Sequence, residues 1–156
     1  MPRKRRAVVR VVLPDPKYHD IVVTKFMNCV MKRGKKSIAE KIVYGAFEII
    51  AEKIKVDPLE VFKTALENVR PMVKVMSRRV GGSNYQIPTE VNEKNGRAIA
   101  FRWIISYARN RSEKTMRDKL AGELMAAYKK EGNSIKKRED THKMADANKA
   151  FAHLRW

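Results

Sequence analysis

Apolar side chains recur at intervals of three and four residues along most of the chain, which is the spacing of one face of an α-helix. The first such stretch follows Asp20 and is predicted to end at Gly34, because Lys32 and Arg33 suit the negative end of a helix dipole. Its apolar positions are Val23, Phe26, Met27, Val30 and Met31. A stripe this regular predicts a helix that packs on a hydrophobic core.

Two more helices are predicted from their start signals. The second opens with Ser37 and Glu40, which have the spacing of a capping box. The third has Asp57 as its cap and Pro58 at its first position, and it ends before Pro71. Both helices are predicted to face the core through Ile38, Ile42, Val43, Ala46, Ile49 and Ile50 in the second, and Val61, Phe62, Ala65, Leu66 and Val69 in the third.

The period changes from helical to alternating over residues 73–88, on either side of Gly81 and Gly82. Two glycines supply the positive φ angles that a tight hairpin turn requires. The flanking positions include polar and basic residues that are poor material for a buried strand pair: Lys74, Arg78, Arg79, Asn84 and Tyr85. We therefore predict a β-hairpin over residues 72–89 that reaches out from the helices.

Helical spacing returns at Asn92. The stripe of a fourth helix consists of Ala98, Phe101, Ile105 and Ala108, and Arg97, Arg102 and Arg109 lie off it. A fifth helix is predicted to start at Ser112 and to stop at Gly132. Its inward positions are Met116, Leu120, Leu124 and Ala127. The last segment, residues 133–156, is predicted to be a polar helix with a thin apolar face formed by Met144, Ala147 and Phe151.

These elements predict one all-α domain over residues 1–156, with about six helices and one protruding β-hairpin between the third and the fourth. An extended basic arm, residues 1–19, precedes the first helix, and Pro14 and Pro16 favour its extended backbone. The polar last helix is expected to lie against solvent, RNA or a neighbouring protein.

The charge balance of the chain indicates that this helical domain binds a polyanion. Lys and Arg number 35 against 17 Asp and Glu, so the net charge is +18, divided as +11 over residues 1–80 and +7 over residues 81–156. Nucleic acid or an anionic membrane is the expected counterweight. No apolar run approaches the roughly 18 residues of a membrane helix, and AVVRVVL is too short for a signal peptide. The single cysteine suits a reducing compartment, so we expect a cytoplasmic protein.

No group of residues in the sequence predicts a reaction, so we expect no enzymatic activity, no metal and no cofactor. The histidines at positions 19, 142 and 153 are scattered, and Cys29 has no partner at metal-ligand spacing. Residues 34–37, Gly-Lys-Lys-Ser, resemble the end of a phosphate-binding P-loop. However, a lysine occupies the position where that loop requires Ser or Thr.

Binding of phosphate groups is the chemistry that fits the basic residues. Lys35 and Lys36 lie at the start of the second helix, where helix amides and lysine charges together favour phosphate. Arg78 and Arg79 can form forked contacts with phosphates or stack on bases. Trp103 fits an aromatic platform for RNA and a core residue equally well.

The most distinctive string is SRRVGGSNYQIP, preceded by ALENVRP and followed by RAIAFRWII. The start MPRKRR, the string MKRGKKS and the end KKREDTHKMADANKAFAHLRW lie in order around it. With these motifs over its whole length, the chain resembles the family of ribosomal protein number seven of the bacterial small subunit, without separating a bacterial from a plastid chain. The resemblance implies a structural constituent that binds ribosomal RNA and nucleates assembly of the subunit head. It also implies repression of its own operon, of which the residues themselves carry no sign.

The same resemblance implies where partners would bind. Contacts with ribosomal RNA would fall on Arg3, Lys4, Arg5, Arg6, Arg10, Lys35, Lys36, Lys74, Arg78, Arg79, Arg97, Arg102, Arg109, Arg111 and Lys114. The residues near tRNA in the exit site and near mRNA would be Arg79, Gly81, Gly82, Ser83, Asn84 and Tyr85. A neighbouring ribosomal protein would contact Lys149, Phe151 and His153. Neither a membrane nor a second copy of the chain is expected as a partner.

Three other classes of protein also combine basic charge with helices. A DNA-bending protein would carry an apolar or proline wedge at the tip of its β-ribbon, whereas the tip here is Gly81-Gly82 and Pro88 lies far from it. A helix-turn-helix repressor would need a short glycine-containing turn where residues 55–58 join the second and third helices. An RNA-modifying enzyme would need a glycine-rich strand–turn–helix unit to hold its cofactor, which the sequence does not offer.

Overall fold

The computed structural model describes residue 8 and residues 10–154, and in this part of the chain it confirms the predicted all-α fold with an inserted hairpin. The elements are α1 Ile21–Val30, α2 Lys36–Ile54, α3 Pro58–Val69, β1 Val73–Val80, β2 Ser83–Glu90, α4 Glu93–Arg109, α5 Met116–Tyr128, α6 Asn133–Ala147 and a 3-10 helix Lys149–Leu154. None of the helices in the described residues is long and apolar enough to cross a membrane.

The core forms where α2, α3 and α4 pack around α5, whose Leu120 and Leu124 are fully buried. A chain of phenylalanine rings extends this core to α1. The ring centroid of Phe26 lies 5.0 Å from that of Phe62 and 5.3 Å from that of Phe101, and Phe47 lies 5.4 Å from Phe62. Such tilted aromatic contacts join α1, α2, α3 and α4 into one hydrophobic unit.

Two positions that the helical stripes placed in the core are exposed instead. Ile38 is half exposed because it lies in the first turn of α2, next to an open cleft. Ala98 is exposed because the inner stripe of α4 runs through Ala100 and Ile104, which are fully buried. The core predictions for the second and fourth helices were therefore wrong at one residue each.

Three of the predicted helix starts are confirmed by their caps. The backbone N–H groups of Val22, Leu59 and Lys94 donate to the side chains of Asp20 at 2.6 Å, Asp57 at 3.1 Å and Asn92 at 3.0 Å. Each of these acceptors satisfies an amide that the first turn of a helix leaves free.

Two other predicted caps were wrong. Ser37 lies inside α2, and Glu40 forms an ion pair with Lys36 at 3.6 Å instead of closing a capping box. At the start of α5, Thr115 is the cap in place of Ser112, and its hydroxyl accepts from the Asp118 N–H at 3.2 Å. Either hydroxyl could cap a helix, and the packing of the chain determines which one does.

Both predicted glycine stops also lie beyond the real helix ends. The last residue of α1 is Val30, and a turn follows in which Arg33 and Gly34 have φ angles of 53° and 73°. The last residue of α5 is Tyr128, whereas Gly132, with φ 89°, directly precedes α6. In both places the glycine provides the reversal of the chain and not the end of the helix.

The hairpin has the predicted two-residue turn. Gly81 and Gly82 have φ angles of 57° and 90°, and Val80 pairs with Ser83 across the turn. Farther along, Met76 pairs with Ile87 and Arg78 with Tyr85. A turn with two positive φ angles matches the twist of the strands, and glycine adopts such angles without strain.

The C-terminal segment differs from the single polar helix predicted over residues 133–156. Helix α6 ends at Ala147, and the 3-10 helix then runs along β2. The buried residues of α6 are Ser134, Ile135 and Ala145. Of the predicted thin apolar face, Met144 and Ala147 are exposed, whereas Phe151 lies in the 3-10 helix and is half-buried. The hairpin thus has one side covered by the end of its own chain.

Candidate nucleic-acid interface

Helices α1 and α4 lie against each other, and several exposed cations lie on these two helices and on the turn that joins α1 to α2. Inward, Phe26 and Phe101 pack into the core. The exposed cations, which we call the basic face, are Lys25, Lys32, Lys35, Lys94, Arg102 and Arg109. Among the described residues, none of these six forms an ion pair. Their charges are therefore free for an external anion.

A first cleft lies at one end of this face, where α1, α2, α4 and α5 meet. It has a volume of about 320 Å³, and Lys32, Lys35 and Arg109 border an apolar floor that includes Ile38 and Met116. Helix α2 begins here without a capping side chain, and the start of a helix favours negative charge. The structure thus brings Lys35 and Arg109, which are far apart in the sequence, to one site.

A second cleft, which we call the α1–α4 cleft, lies at the other end. Its volume is about 430 Å³. It is lined by Val22, Lys25, Asn28, Cys29, Asn92, Glu93, Lys94, Arg97, Ala98 and Phe101. Partial burial raises the pKa of the Cys29 thiol in this cleft, and the positive charge of Arg102 opposes that rise to a smaller extent.

Two of the predicted RNA contacts, Arg97 and Lys36, form ion pairs with neighbouring residues of their own helices. Arg97 forms an ion pair with Glu93, and this hydrogen bond lowers the pKa of Glu93. Lys36 forms an ion pair with Glu40 at 3.6 Å. Exposed pairs of this kind contribute little to stability, so both cations can exchange their partner for a phosphate.

Arg111 has a stronger structural role. Its guanidinium donates to Glu113 at 2.8 Å and to the buried Glu123 at 3.2 Å. The hydrogen bond to Glu113 raises the pKa of Arg111, and the same bond lowers the pKa of Glu113. This network ties the segment between α4 and α5 to the core. Lys114 lies in that segment and is exposed.

The predicted residues of the hairpin divide into an open tip and a covered side. Arg79, Gly81, Gly82, Ser83 and Asn84 are exposed at the tip. Lys74 and Arg78 are half-buried nearer the base. Tyr85 points to the covered side, where its ring centroid lies 5.3 Å from that of Phe151.

Of the three residues predicted to contact a neighbouring protein, only Lys149 and His153 are exposed. Phe151 contacts Tyr85 of its own chain, and together they line a cleft of about 420 Å³ with Val80 and Leu154. This contact could not be read from the sequence, because nothing local pairs two aromatic residues so far apart.

Residues 1–7 and 9 of the predicted arm lie outside the described residues, and with them the predicted contacts Arg3, Lys4, Arg5 and Arg6. Arg10 is exposed. The adjacent Val11 and Leu13 are exposed as well, with 89% and 76% of their surface accessible. The arm next to α1 thus offers apolar as well as basic groups.

Three lysines of the basic face, Lys25, Lys32 and Lys94, were missed by the sequence interpretation. In the sequence, each of these lysines could be noticed only because it lies opposite an apolar stripe. Ordinary solvent-exposed lysines on a helix have the same position, so the pattern does not single out a binding residue. Trp103 is half-buried and packs against the core, so it is no free stacking platform. In the described part of the chain, no cluster of His, Cys, Asp and Glu could hold a metal ion.

Comparison with known proteins gives the same family over the whole chain. A family model described as "Ribosomal protein S7p/S5e" matches residues 2–149. Proteins called "Small ribosomal subunit protein uS7" are similar to this chain over all of its 156 residues. The alignments also cover the full length of each of these relatives. They are 59% identical in Anaeromyxobacter sp. (strain K), 59% in Myxococcus xanthus (strain DK1622) and 60% in Syntrophotalea carbinolica (strain DSM 2380 / NBRC 103641 / GraBd1).

Proposed function

Because the chain belongs to the S7p/S5e family of ribosomal proteins, we propose that it is a structural constituent of the small ribosomal subunit and binds ribosomal RNA through the basic face. The observation that carries this proposal is the set of six exposed cations on and beside α1 and α4 that lack an internal ionic partner among the described residues. A free cation contributes its full charge to a phosphate, whereas a paired one must first leave its carboxylate.

The role we propose for the protein is architectural, not catalytic. The packed helices hold two basic clefts and the hairpin at fixed separations, so RNA segments that bind them are held in one arrangement. Release of counterions from the phosphates supplies affinity, and recognition depends on RNA shape and unstacked bases because the A-form major groove is too narrow for side chains. In this way the protein would nucleate assembly of the subunit head in the cytoplasm.

The open tip of the hairpin supports a second contact surface in the same assembly. Arg79, Ser83 and Asn84 are exposed there and face away from the helices. We propose that the tip lies near tRNA in the exit site and near mRNA. Lys149 and His153, exposed beside the covered side of the hairpin, would contact a neighbouring ribosomal protein.

A salt-series titration tests the RNA-binding proposal. The purified chain is titrated with a folded RNA fragment of the small-subunit head, with duplex DNA of the same length and charge as the competitor. With about six to ten phosphate contacts, affinity should fall roughly a thousandfold or more from low to moderately high salt. The preference for RNA should persist throughout. Equal competition by DNA at every salt concentration would mean that charge alone binds, and it would refute shape recognition.

A further inference from the structure

We infer that the α1–α4 cleft receives one unstacked nucleobase, with the phosphates on either side of it held by Lys25 and Lys94. The inference rests on the proposed RNA binding and adds a specific subsite to it. The subsite lies between the first and fourth helices, on the part of the basic face farthest from the start of α2.

The shape of the cleft suits a flat ring. Its volume of about 430 Å³ lies within the range of roughly 300–1,000 Å³ that small-molecule sites occupy. The floor is apolar, with Val22 from α1 and Phe101 from α4, and small side chains at Cys29 and Ala98 leave it open. Ala98 and Cys29 are both exposed, so the cleft is open to solvent at these two positions.

The rim carries the groups that a nucleotide would need. Lys25 and Lys94 are exposed on opposite walls, and neither has an acidic partner among the described residues. Asn28 is exposed on the wall of α1, and within the described chain no hydrogen bond of its carboxamide is found. A carboxamide presents one acceptor and two donors, which can pair with the edge of a base.

The charges distinguish a nucleobase from the other ligands that an apolar cleft could take. An apolar peptide side chain would leave the lysines unpaired, and burying charges without partners is costly. Among the described residues of the rim, Glu93 carries the one carboxylate, and it is already paired with Arg97. An apolar floor between free cations matches a base between two phosphates, which is the arrangement by which proteins bind single-stranded RNA.

A substitution that fills the cleft without changing its charge tests the inference. Ala98→Leu adds an apolar side chain to the floor at an exposed helix position that tolerates leucine. Because the leucine side chain would occupy the space of the base, Ala98→Leu should weaken binding to the head RNA fragment by about tenfold, which corresponds to the loss of roughly one base contact. The matched control is Ala147→Leu, at an exposed position near the end of α6, which should bind like the wild type.

The single cysteine of the chain gives a direct readout of occupancy, since Cys29 lines the cleft. The rate at which iodoacetamide alkylates Cys29 is measured at one pH with a short single-stranded RNA, and with a strand of equal length that has phosphates but no bases. The complete RNA should slow alkylation several-fold. The abasic strand should have little effect.

The outcomes separate the cleft from the proposed function. Wild-type affinity in Ala98→Leu, or equal protection of Cys29 by the abasic strand, would overturn the nucleobase site and leave RNA binding in place. If the wild-type chain fails to bind the head RNA fragment, the proposed function is overturned, and this inference falls with it.

Discussion

The hydroxyl of Tyr44 on α2 donates a 2.7 Å hydrogen bond to the carboxylate of Asp15, which is 2% exposed although it precedes the first helix. The same carboxylate accepts from the backbone N–H groups of Lys17 at 3.0 Å and Tyr18 at 2.9 Å. This buried acid attaches the extended segment before α1 to the helical core. The contact thereby fixes the position of the segment that leads into α1, one of the two helices of the basic face.

We expect Tyr44→Phe to lower the free energy of unfolding by about 1.5–3 kcal/mol, because it removes a hydrogen bond to a buried charged group. Urea denaturation at neutral pH measures this change. The matched control is Tyr107→Phe, since in the described chain the Tyr107 hydroxyl forms no hydrogen bond, and that variant should keep wild-type stability. Equal stability of the two variants would mean that the Asp15 contact does not contribute.

The pH dependence of stability should change in the same variant. Burial, and after it the hydrogen bond to Asp15, raises the pKa of Tyr44 in the folded chain. A raised pKa means that the stability this hydroxyl contributes is complete below about pH 10 and is lost as the pH rises above that value. The loss of stability above about pH 10 should therefore be smaller in Tyr44→Phe than in the wild type. Parallel pH profiles would contradict this assignment.

Arg109→Ala and Arg111→Ala should separate binding from folding. Arg109 is exposed and unpaired among the described residues, so its loss should weaken RNA binding, reduce the salt slope by about one and leave stability within about 0.5 kcal/mol. Arg111 holds the buried Glu123, so its loss should reduce the free energy of unfolding by about 1–3 kcal/mol. Paired titrations and urea melts measure both. A larger loss of RNA affinity in Arg111→Ala, at full stability, would show that the internal network is not its main role.

Glu123 should act together with Ser134, because its carboxylate accepts from the Ser134 hydroxyl at 2.5 Å and from the Ser134 N–H at 3.2 Å at the start of α6. We expect Glu123→Ala to cost about 2–4 kcal/mol, since it leaves these buried groups unpaired. A double-mutant cycle with Ser134→Ala should give a coupling of about 0.5–3 kcal/mol. Glu131→Ala, at an exposed carboxylate nearby, is the control and should be neutral.

Shortening the hairpin should leave the helical core intact. Met76 pairs with Ile87 in the same hydrogen-bonding phase as Val80 with Ser83, so replacing residues 77–86 with Asn-Gly keeps the register and allows a tight turn. The circular dichroism spectrum should remain helical. Stability should fall by no more than about 1.5 kcal/mol, the value of the lost Tyr85–Phe151 contact. Unfolding of this variant would mean that the hairpin is part of the core.

The same variant should loosen the C-terminal segment. Removing Tyr85 takes away the ring against which Phe151 packs, so amide hydrogen exchange should quicken over residues 149–154 and stay unchanged in α2. Phe151→Ala is the matched single substitution and should produce the same local effect with the hairpin intact. Exchange rates equal to the wild type in both variants would show that this contact does not hold the segment.

The fold class and most element positions follow from the sequence because their causes are local. Asp20, Asp57 and Asn92 cap the helices they precede, and Gly81-Gly82 forms the turn that its residue types require. Apolar spacing predicted most of the core in the same way, although Ile38 and Ala98, which it placed there, are exposed. The net charge of +18 predicted a polyanionic partner, and the motifs around the hairpin carried the resemblance to a ribosomal family, which is confirmed.

Only the tertiary structure decided which charges are free and which aromatic groups meet. Arg109 and Arg111 read alike in the sequence, yet one is open to solvent and the other is bound to Glu113 and Glu123. Phe151 meets Tyr85 because α6 ends early and turns the chain back along β2. Composition sets the total charge of a chain, but the burial and distance that pair or free each charge depend on contacts between segments far apart in the sequence.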